Sequence, residues 1–396
     1  MSDPRIALTT YSVKPRGGVV HTLELAEALQ HEGADVTVIA MGEPGVEFFR
    51  PVEVPVRIVP APPAGDTLEE RVFSWIDAMA KSLHGMRNDF DIIHSQDCIS
   101  ARAAAQVRDD GSATPGWTRP FKLIRTVHHV DDFTTQALVD CQRLAIEQPD
   151  QVFVVSELWK KTLAADYGVQ ARVITNGVRI DRFAAGISDH RRGELRQRIG
   201  ADDRFVFLTV GGIEPRKGSE FLVAALAKAK FEQQKLRPDN PPVMLAVIGG
   251  HSFQDYRQYR ERVLGSLHDY GLVPDVDLVM LGTVDDTELP DWFHAADAFV
   301  FPSISEGWGL VVLEALAAGL PTITSDIDVF HEFLTDGQTA VTTKAGNVDS
   351  LAEGMQRLQS DQELVDRLRA EGVLLAAQYS WSRTAKQHLD VYLGSG

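Results

Sequence analysis

The chain has 396 residues, a formal net charge of −17 at pH 7, 44% hydrophobic residues and 24% charged residues. At about 150 residues per domain, this length predicts two or three domains that each bury a core of their own. The composition is ordinary for a folded protein and excludes collagen, a disulfide scaffold and general disorder. The acidic excess repels phosphate backbones and anionic lipid surfaces, so nucleic acid is not an expected partner.

The cysteines and the amino terminus indicate the cellular compartment. Cys98 and Cys141 are too few for a disulfide framework, and we expect two small buried side chains in a reduced environment. The amino terminus has no basic region followed by an apolar run, and no apolar run approaches the ~18 residues of a membrane span. We therefore expect a soluble, cytoplasmic protein that does not insert stably into a membrane.

The first half of the chain alternates short apolar runs with helix-like sequence. Ile6–Thr10 is a β-prone run that ends before the Gly17-Gly18 pair. Apolar residues then recur at helical spacing from Leu23 until Gly33. Further buried strands are predicted at 36–39, 91–94, 122–127, 151–155 and 172–174. This alternation predicts a parallel sheet with helices on both faces.

The second half repeats this pattern after a polar, arginine-rich stretch at 181–203. Strands are predicted at 204–210, 243–248, 277–281, 298–301 and 321–324, and three of them run into glycine. The chain is mostly helical from about Ser350, with a last helix at Trp381–Leu393. The sequence therefore predicts two doubly wound, Rossmann-like α/β domains, 1–180 and 181–378, followed by a helical segment, 379–396.

The predicted sheets also indicate where ligands bind. In open parallel sheets, ligands lie beyond the carboxyl ends of the strands. Most of the glycine loops follow such ends, so we expect them to line a deep cleft between two domains that face each other.

The densest chemical signal lies at 301–315. A buried strand ends in a loop that holds Glu306, and Gly307 and Gly309 let a ligand approach the backbone closely. A helix is predicted to follow at Leu310–Ala318.

This predicted helix offers two kinds of ligand contact. Its first N–H groups have no partner inside the helix and attract anions. Glu314 lies in its second turn, where a carboxylate can accept two hydrogen bonds from a vicinal diol such as that of a ribose. The alternative is that Glu306 is a solvated loop residue and Glu314 a surface residue.

A second signal, 211–218, again joins a strand to a helix. Arg216 and Lys217 place two positive charges where the loop backbone already offers hydrogen-bond donors. Such a loop is able to hold a diphosphate. The alternative is an exposed basic turn.

Two weaker signals lie in the first half. Gly17 and Gly18 stand in the first strand-to-helix loop, where a plain turn is the alternative. The chain has neither a G-x-G-x-x-G nor a G-x-x-x-x-G-K-[ST] run, which argues against a nicotinamide enzyme and a P-loop enzyme. His128 and His129 follow a strand, and an imidazole there can exchange a hydrogen bond with a substrate hydroxyl.

No metal site is expected. The pairs Asp275/Asp277 and Asp326/Asp328 have D-x-D spacing, but the first precedes a strand and the second follows one, in the wrong architecture for a metal–diphosphate site. No His or Cys cluster has the spacing of zinc ligands.

These signals together resemble the retaining glycosyltransferases of family 4, which have the GT-B fold. Glu306 and Glu314 fit that family's E-x7-E motif. The resemblance covers nearly the whole chain and includes 17–18, 126–128, 155–157, 175–178, 216–218, 249–250, 319–321 and 379–382. It implies transfer of a sugar from a nucleoside-diphosphate sugar to an acceptor hydroxyl, with no cofactor and no metal ion.

The resemblance also implies a role for each matched residue. His128 would contact the transferring sugar, Glu306 would hold its hydroxyls, and Lys217 would neutralise the diphosphate. Glu314 would bind the ribose diol. The donor-binding set is completed, largely through the backbone, by Gly17, Gly18, Gly249, Val284, Gly307, Trp308, Gly309, Leu310 and Val311.

One departure from the family concerns the charge on the diphosphate. The family commonly has an arginine directly after the V-G of the strand end, where this chain has Gly212. Arg216, immediately before Lys217, is the candidate for the missing charge and is placed in the catalytic set. The implied mechanism stabilises the leaving nucleoside diphosphate with these cations and the helix amino terminus. The acceptor hydroxyl attacks from the same face, so the configuration is retained.

Several alternatives stay open at this point. An epimerase of the same GT-B fold would act on nucleotide sugars by acid–base chemistry, and a catalytically silent protein would bind one without turnover. Uracil and guanine are the favoured bases of the donor, and the acceptor is a small molecule or a glycan. Candidate acceptor loops are 60–70 and 130–136. A homodimer is also compatible with the sequence.

Overall fold

The computed structural model describes residues 4–63, 65–110, 119–236, 238–250 and 256–394. It divides into two compact units, which we call the first unit (Met1–Gly177 with Trp381–Gly396) and the second unit (Val178–Ser380). The predicted boundaries, at 180/181 and 378/379, lie within three residues of these. Ala64 of one candidate acceptor loop, and residues 1–3 and 395–396 of the predicted end segments, lie outside the described residues. The predicted cleft between the domains stays a prediction.

The first unit is built on a parallel sheet. Its elements in chain order are β1 (Arg5–Thr10), α1 (Gly17–His31), β2 (Asp35–Gly42), β3 (Val56–Pro60), α2 (Leu68–Gly85), β4 (Ile92–Ser95), α3 (Cys98–Asp109), β5 (Lys122–Val127), α4 (Gln136–Glu147), β6 (Gln151–Val154), α5 (Glu157–Tyr167) and β7 (Arg172–Val173). The strand order is β3-β2-β1-β4-β5-β6-β7, and every neighbouring pair is parallel. Helices on both faces explain why the central strands β1, β4 and β5 are buried almost throughout.

The second unit repeats this plan. Its elements are α6 (Ile180–Phe183), α7 (Asp189–Arg198), β8 (Phe205–Val210), a 3-10 turn (Pro215–Lys217), α8 (Ser219–Leu236), β9 (Val243–Ile248), α9 (Arg257–Gly265), β10 (Leu278–Gly282), α10 (Leu289–Ala295), β11 (Ala298–Phe301), α11 (Leu310–Ala317), β12 (Thr322–Ser325), α12 (Asp328–His331), β13 (Val341–Thr343), α13 (Val348–Ser360) and α14 (Gln362–Ala376). The strand order is β10-β9-β8-β11-β12-β13, again parallel throughout.

The last helix, α15 (Trp381–Tyr392), belongs to the first unit and packs against α1. Ser382 Oγ donates to Glu32 Oε1 at 2.6 Å, and Thr384 Oγ1 donates to the carbonyl oxygen of Thr175 at 2.9 Å. These bonds tie the end of the chain to the first sheet. No helix in the described ranges is both long and apolar enough to cross a membrane.

The strand order fixes one crevice in each sheet. In the first sheet, the strands that follow β1 are added toward one edge, and the strands that follow β4 are added toward the other edge. In the second sheet, the same change of direction lies between β8 and β11. Ligands of doubly wound sheets bind at this switch point, beyond the carboxyl ends of the strands. In the first unit, the residues after β1, β4 and β5 surround it. In the second unit, the loops 211–218 and 302–309 do so.

Candidate active site

The two loops at the switch point of the second unit are packed against each other. The loop after β8 closes with Gly218, whose φ is +67°, and a Cβ at this position would clash with the carbonyl oxygen of Pro302. Only glycine accepts both constraints without strain. The backbone N–H of Ile304 donates to the carbonyl oxygen of Arg216 at 2.8 Å. The loops therefore hold their side chains in a fixed relation.

A buried ion pair lies where these loops meet. Lys217 Nζ donates a short hydrogen bond to Glu306 Oε1, and the two side chains are only 16% and 8% exposed. Ser303 Oγ donates to the same oxygen at 3.0 Å, and Arg216 Nη1 lies 3.3 Å from it. Lys217 Nζ also lies 4.3 Å from the centre of the Phe301 ring. One carboxylate oxygen of Glu306 thus contacts two cations and a hydroxyl group.

The protonation of this pair follows from burial and from charge. Burial lowers the pKa of Lys217, although Glu306 opposes that shift. Burial alone would raise the pKa of Glu306, but the charges of Lys217 and Arg216 outweigh it and hold that pKa below its ordinary value. Glu306 is therefore an anion at neutral pH, and it is the counter-ion of Lys217.

Arg216 has a second carboxylate partner that the sequence analysis did not assign. Its Nε lies 3.2 Å from Glu214 Oε2. The cluster of Arg216, Lys217, Glu214 and Glu306, which we call the charge cluster, thus holds two cations and two carboxylates. The cluster has no net charge while no ligand is bound. A diphosphate that binds there therefore has to replace a carboxylate as the counter-ion of the cations.

Helix α11 begins directly beside the charge cluster. It spans Leu310–Ala317, one residue shorter than the predicted helix, and its N-cap is Gly309 with a φ of +96°. A Cβ on Gly309 would lie 2.7 Å from Phe330 Cε1, so the tight turn requires glycine. A glycine cap has no side chain to accept the first N–H groups of the helix, which suits an anion. Glu314 lies half-buried in the second turn, as predicted.

The side chain of Trp308 packs in the hydrophobic core. The indole is 3% exposed, stacks on Phe333 with ring centres 4.8 Å apart, and lies 5.6 Å from the ring of Tyr379. Its predicted place in the donor-binding set therefore rests on its backbone, as it does for Gly307, Leu310 and Val311.

Two further residues of the predicted donor-binding set, Gly249 and Val284, follow the neighbouring strands. Gly249 comes directly after β9, and a Cβ there would clash with the carbonyl oxygen of Gly211. Its N–H donates to the carbonyl oxygen of Gly282 at 2.8 Å, which joins the ends of β9 and β10. Val284 lies half-buried two residues further on. The structure thus brings these residues to the same edge of the sheet as Lys217.

The first unit brings together two other predicted residues, Gly18 and His128. Gly17 and Gly18 form the first turn of α1, so the prediction that they stand in the preceding loop is wrong. A Cβ on Gly18 would lie 3.6 Å from His128 Cδ2. The imidazole of His128 therefore lies against the start of α1.

His128 is held by a residue that the sequence analysis missed. Its Nε2 lies 3.1 Å from Oε1 of the buried Gln96, and its ring packs edge-on against His21 with centres 4.6 Å apart. An amide oxygen only accepts, so Nε2 carries the hydrogen and Nδ1 presents a lone pair. Burial lowers the pKa of His128 well below its ordinary value, so the ring is neutral. Gln96 follows β4 directly, which is the signal that could have found it.

One aspartate of each pair with D-x-D spacing has a structural role. Asp277 is buried, lies 2.7 Å from Lys230 Nζ and accepts from the N–H of Val273 at 2.8 Å. Asp326 Oδ1 accepts from the N–H of Ala345 at 2.7 Å. Within the described part of the chain, no group of three or more His, Cys, Asp or Glu side chains is arranged to hold a metal ion.

Two family models match this chain. The model described as Glycosyltransferase Family 4 matches residues 15–182, and the model described as Glycosyl transferases group 1 matches residues 191–373. An uncharacterised glycosyltransferase of Methanocaldococcus jannaschii is 26% identical over 98% of this chain and 97% of its own. A phosphatidyl-myo-inositol mannosyltransferase of Mycolicibacterium smegmatis is 27% identical over 96% of this chain and 91% of its own.

Solved structures share the fold. HepE of Anabaena, in complex with UDP and glucose, aligns over 99% of this chain and 100% of its own with a TM-score of 0.78 and 18% identity. Sucrose-phosphate synthase from Thermosynechococcus elongatus aligns over 99% and 98% with a TM-score of 0.79 and 23% identity. Since the two glycosyltransferase models together cover most of its length and these solved structures share its fold, the chain belongs to the glycosyltransferases with the GT-B fold.

Proposed function

We propose that this glycosyltransferase moves a sugar from a nucleoside-diphosphate sugar to an acceptor hydroxyl, with retention of configuration and without a metal ion. The observation that carries this proposal is the charge cluster at the switch point, where Arg216 and Lys217 lie beside the start of α11. Cations and helix N–H groups in one place suit an anionic group such as a diphosphate.

The donor would bind by exchanging ions. Its diphosphate takes Lys217 and Arg216 as counter-ions, and Glu306, released from Lys217, accepts hydrogen bonds from the sugar hydroxyls. At an effective dielectric of about 20, a unit charge 4 Å from Lys217 gains about 4 kcal/mol, which is enough to compete with one carboxylate. Glu314 accepts from the ribose diol. Complexes of HepE of Anabaena with UDP-glucose and with UDP support this choice of ligand.

The same groups would then serve the chemistry. As the anomeric bond breaks, negative charge grows on the leaving phosphate, and the two cations with the start of α11 stabilise it there. The leaving phosphate oxygen takes the proton of the acceptor hydroxyl, which attacks from the same face. His128 keeps its predicted contact with the transferring sugar, through the lone pair on Nδ1.

The test is turnover with purified protein. We expect release of nucleoside diphosphate that depends on an acceptor, persists in a metal chelator, and yields a glycoside with the anomeric configuration of the donor. The names of two relatives, a phosphatidyl-myo-inositol mannosyltransferase and a D-inositol 3-phosphate glycosyltransferase, suggest which acceptors to test. We would therefore screen inositol phosphates first.

The matched variants are Lys217→Ala and Lys235→Ala. Lys217→Ala should slow turnover by more than about tenfold, because it removes a cation from the leaving group. Lys235 is exposed on α8, and Lys235→Ala should not change the rate. Equal rates for the two variants, or an inverted product, would contradict the proposal. Donor bound without release of nucleotide would instead indicate a silent binding protein.

A further inference from the structure

The two cysteines of the chain, 43 residues apart in sequence, meet in the first unit. Cys98 is the first residue of α3 and Cys141 lies in α4, and their Sγ atoms are 3.7 Å apart. Cys98 is half-buried, whereas Cys141 is 4% exposed. A disulfide needs about 2.05 Å between the sulfurs, so closing the pair requires each side to move by less than 1 Å on average.

Positive charge surrounds this pair. Arg125, on β5, is buried, and its Nε and Nη1 have no hydrogen-bond partner among the described residues. A hydrogen bond from Cys98 and the charges of Arg102 and Arg125 lower the pKa of Cys141 to about 7. The hydrogen bond with Cys141 and burial raise the pKa of Cys98. At neutral pH a substantial fraction of Cys141 is therefore thiolate, the reactive form.

The pair is directly joined to the candidate active site of the first unit. Cys98 follows Asp97, which caps α3 by accepting from the N–H of Ser100 at 2.8 Å and also accepts from the N–H of Tyr11 at 2.9 Å. The residue before Asp97 is Gln96, the partner of His128. Asp97 and Gln96, which directly precede Cys98, thus contact the loop after β1 and His128, and they are the route by which a change at Cys98 would reach both.

We propose that Cys98 and Cys141 are a redox modification site, at which a low-molecular-weight disulfide such as glutathione disulfide forms an intramolecular bond that slows glycosyl transfer. The activity part of this inference rests on the proposed function, whereas the covalent part does not.

The reaction balances with the glutathione disulfide as oxidant. Cys98 passes its proton to the Cys141 thiolate, attacks one sulfur of glutathione disulfide and displaces a first glutathione thiolate, which takes up that proton. The Cys141 thiolate then attacks Cys98 Sγ and displaces the second glutathione. The two cysteines lose two electrons, and the disulfide reagent gains them as two reduced glutathiones.

The covalent test uses the full chain under native conditions. After incubation with glutathione disulfide, we expect the intact mass to fall by two hydrogens, and dithiothreitol to restore it. Cys141→Ser should instead gain the mass of one glutathione, because it keeps Cys98, the more exposed of the two cysteines, and lacks the resolving one. If the native protein keeps both thiols, or adds glutathione without closing the disulfide, the proposal is wrong.

The activity test compares the same samples. Displacing an active-site contact by about 1 Å can cost up to a hundredfold in rate, so we expect oxidised protein to turn over on the order of tenfold more slowly, with recovery in dithiothreitol. The double variant Cys98→Ser/Cys141→Ser should not respond to the reagent. A closed disulfide with an unchanged rate would overturn the regulatory part. If the reduced protein transfers no sugar, the proposed function fails, while the mass result still decides the covalent part.

Discussion

Glu306→Gln is the most informative perturbation of the charge cluster, because it removes one of two carboxylates while nearly keeping the shape of the side chain. The cluster then has one net positive charge in place of none. At an effective dielectric of about 20, unit charges about 7 Å apart interact by about 2 kcal/mol. Removing that repulsion should tighten the binding of a free nucleoside diphosphate by on the order of tenfold.

The same change should slow the reaction. The amide is a weaker acceptor for the sugar hydroxyls, and it lets Lys217 leave its position beside Ser303, so we expect kcat to fall by at least about tenfold. Tighter product binding together with slower turnover is the signature of a carboxylate that competes with the diphosphate for Lys217.

The variant also has a pH signature. Glu306 raises the pKa of Lys217 against the effect of burial, and its removal lowers that pKa further. Lys217 is charged below its pKa and loses its charge as the pH rises through it. As the pH rises, Glu306→Gln should therefore lose its affinity for the nucleoside diphosphate at a lower pH than the wild type does.

The assay is calorimetric titration with UDP, GDP, ADP and TDP between pH 6 and 10, paired with kinetics. Glu371→Gln is the matched control, since Glu371 is exposed on α14 and carries the same charge change. The reasoning is refuted if Glu306→Gln weakens nucleoside diphosphate binding, or if the control tightens it equally.

Three further predictions concern the same framework. Gly218→Ala should lower the free energy of unfolding by about 2 kcal/mol or more in urea, because of its φ of +67°, whereas Gly186→Ala, with open space around it, should change it little. Ser303→Ala removes a buried donor to a carboxylate and should lower kcat by about tenfold without a change in circular dichroism; an unchanged kcat would separate this serine from the reaction. Burial lowers the pKa of His21 to about 3 and of His388 to about 4, while the unfolded chain binds these protons near pH 6.5. The contribution of these histidines to the free energy of unfolding should thus be highest above pH 6.5. It should fall by up to about 1.4 kcal/mol per pH unit for each histidine as the pH drops toward 4. A free energy of unfolding in urea that stays constant between pH 6.5 and 5 would contradict this prediction.

The sequence predicted the parts of the fold that have strong local signals. Most central strands contain short apolar runs, and the start of α11 at Leu310 follows from the glycine before it. The edge strands β3 and β13 were missed, because β3 is largely exposed and β13 has only three residues. Gly17 and Gly18 were taken as a loop pair, yet they open α1, and Gly18 lies beside the His128 ring.

The candidate site divides in the same way. Lys217 and Glu306, which the structure brings together, were predicted because their motifs are contiguous in sequence and follow strands. The role of Glu314 stays a prediction. Gln96 acquires its role only through a contact across the fold, with His128 at 3.1 Å. Ser303 bonds to Glu306, three residues along the same loop, at 3.0 Å, and the sequence analysis overlooked this local pair. The proximity of Cys98 to Cys141 also depends on how α3 packs on α4, which no local pattern contains.

The central claim is that the charge cluster binds the diphosphate of the donor. Thermal unfolding of the wild type and of Lys217→Ala, each with UDP, GDP, ADP or TDP and their common sugars, tests it most directly. A ligand at about 100 times its Kd adds about 2.7 kcal/mol, which raises the unfolding midpoint by several degrees. We predict one clear shift in the wild type and its loss in Lys217→Ala. Equal shifts in both proteins, or none with any nucleotide, would contradict the account.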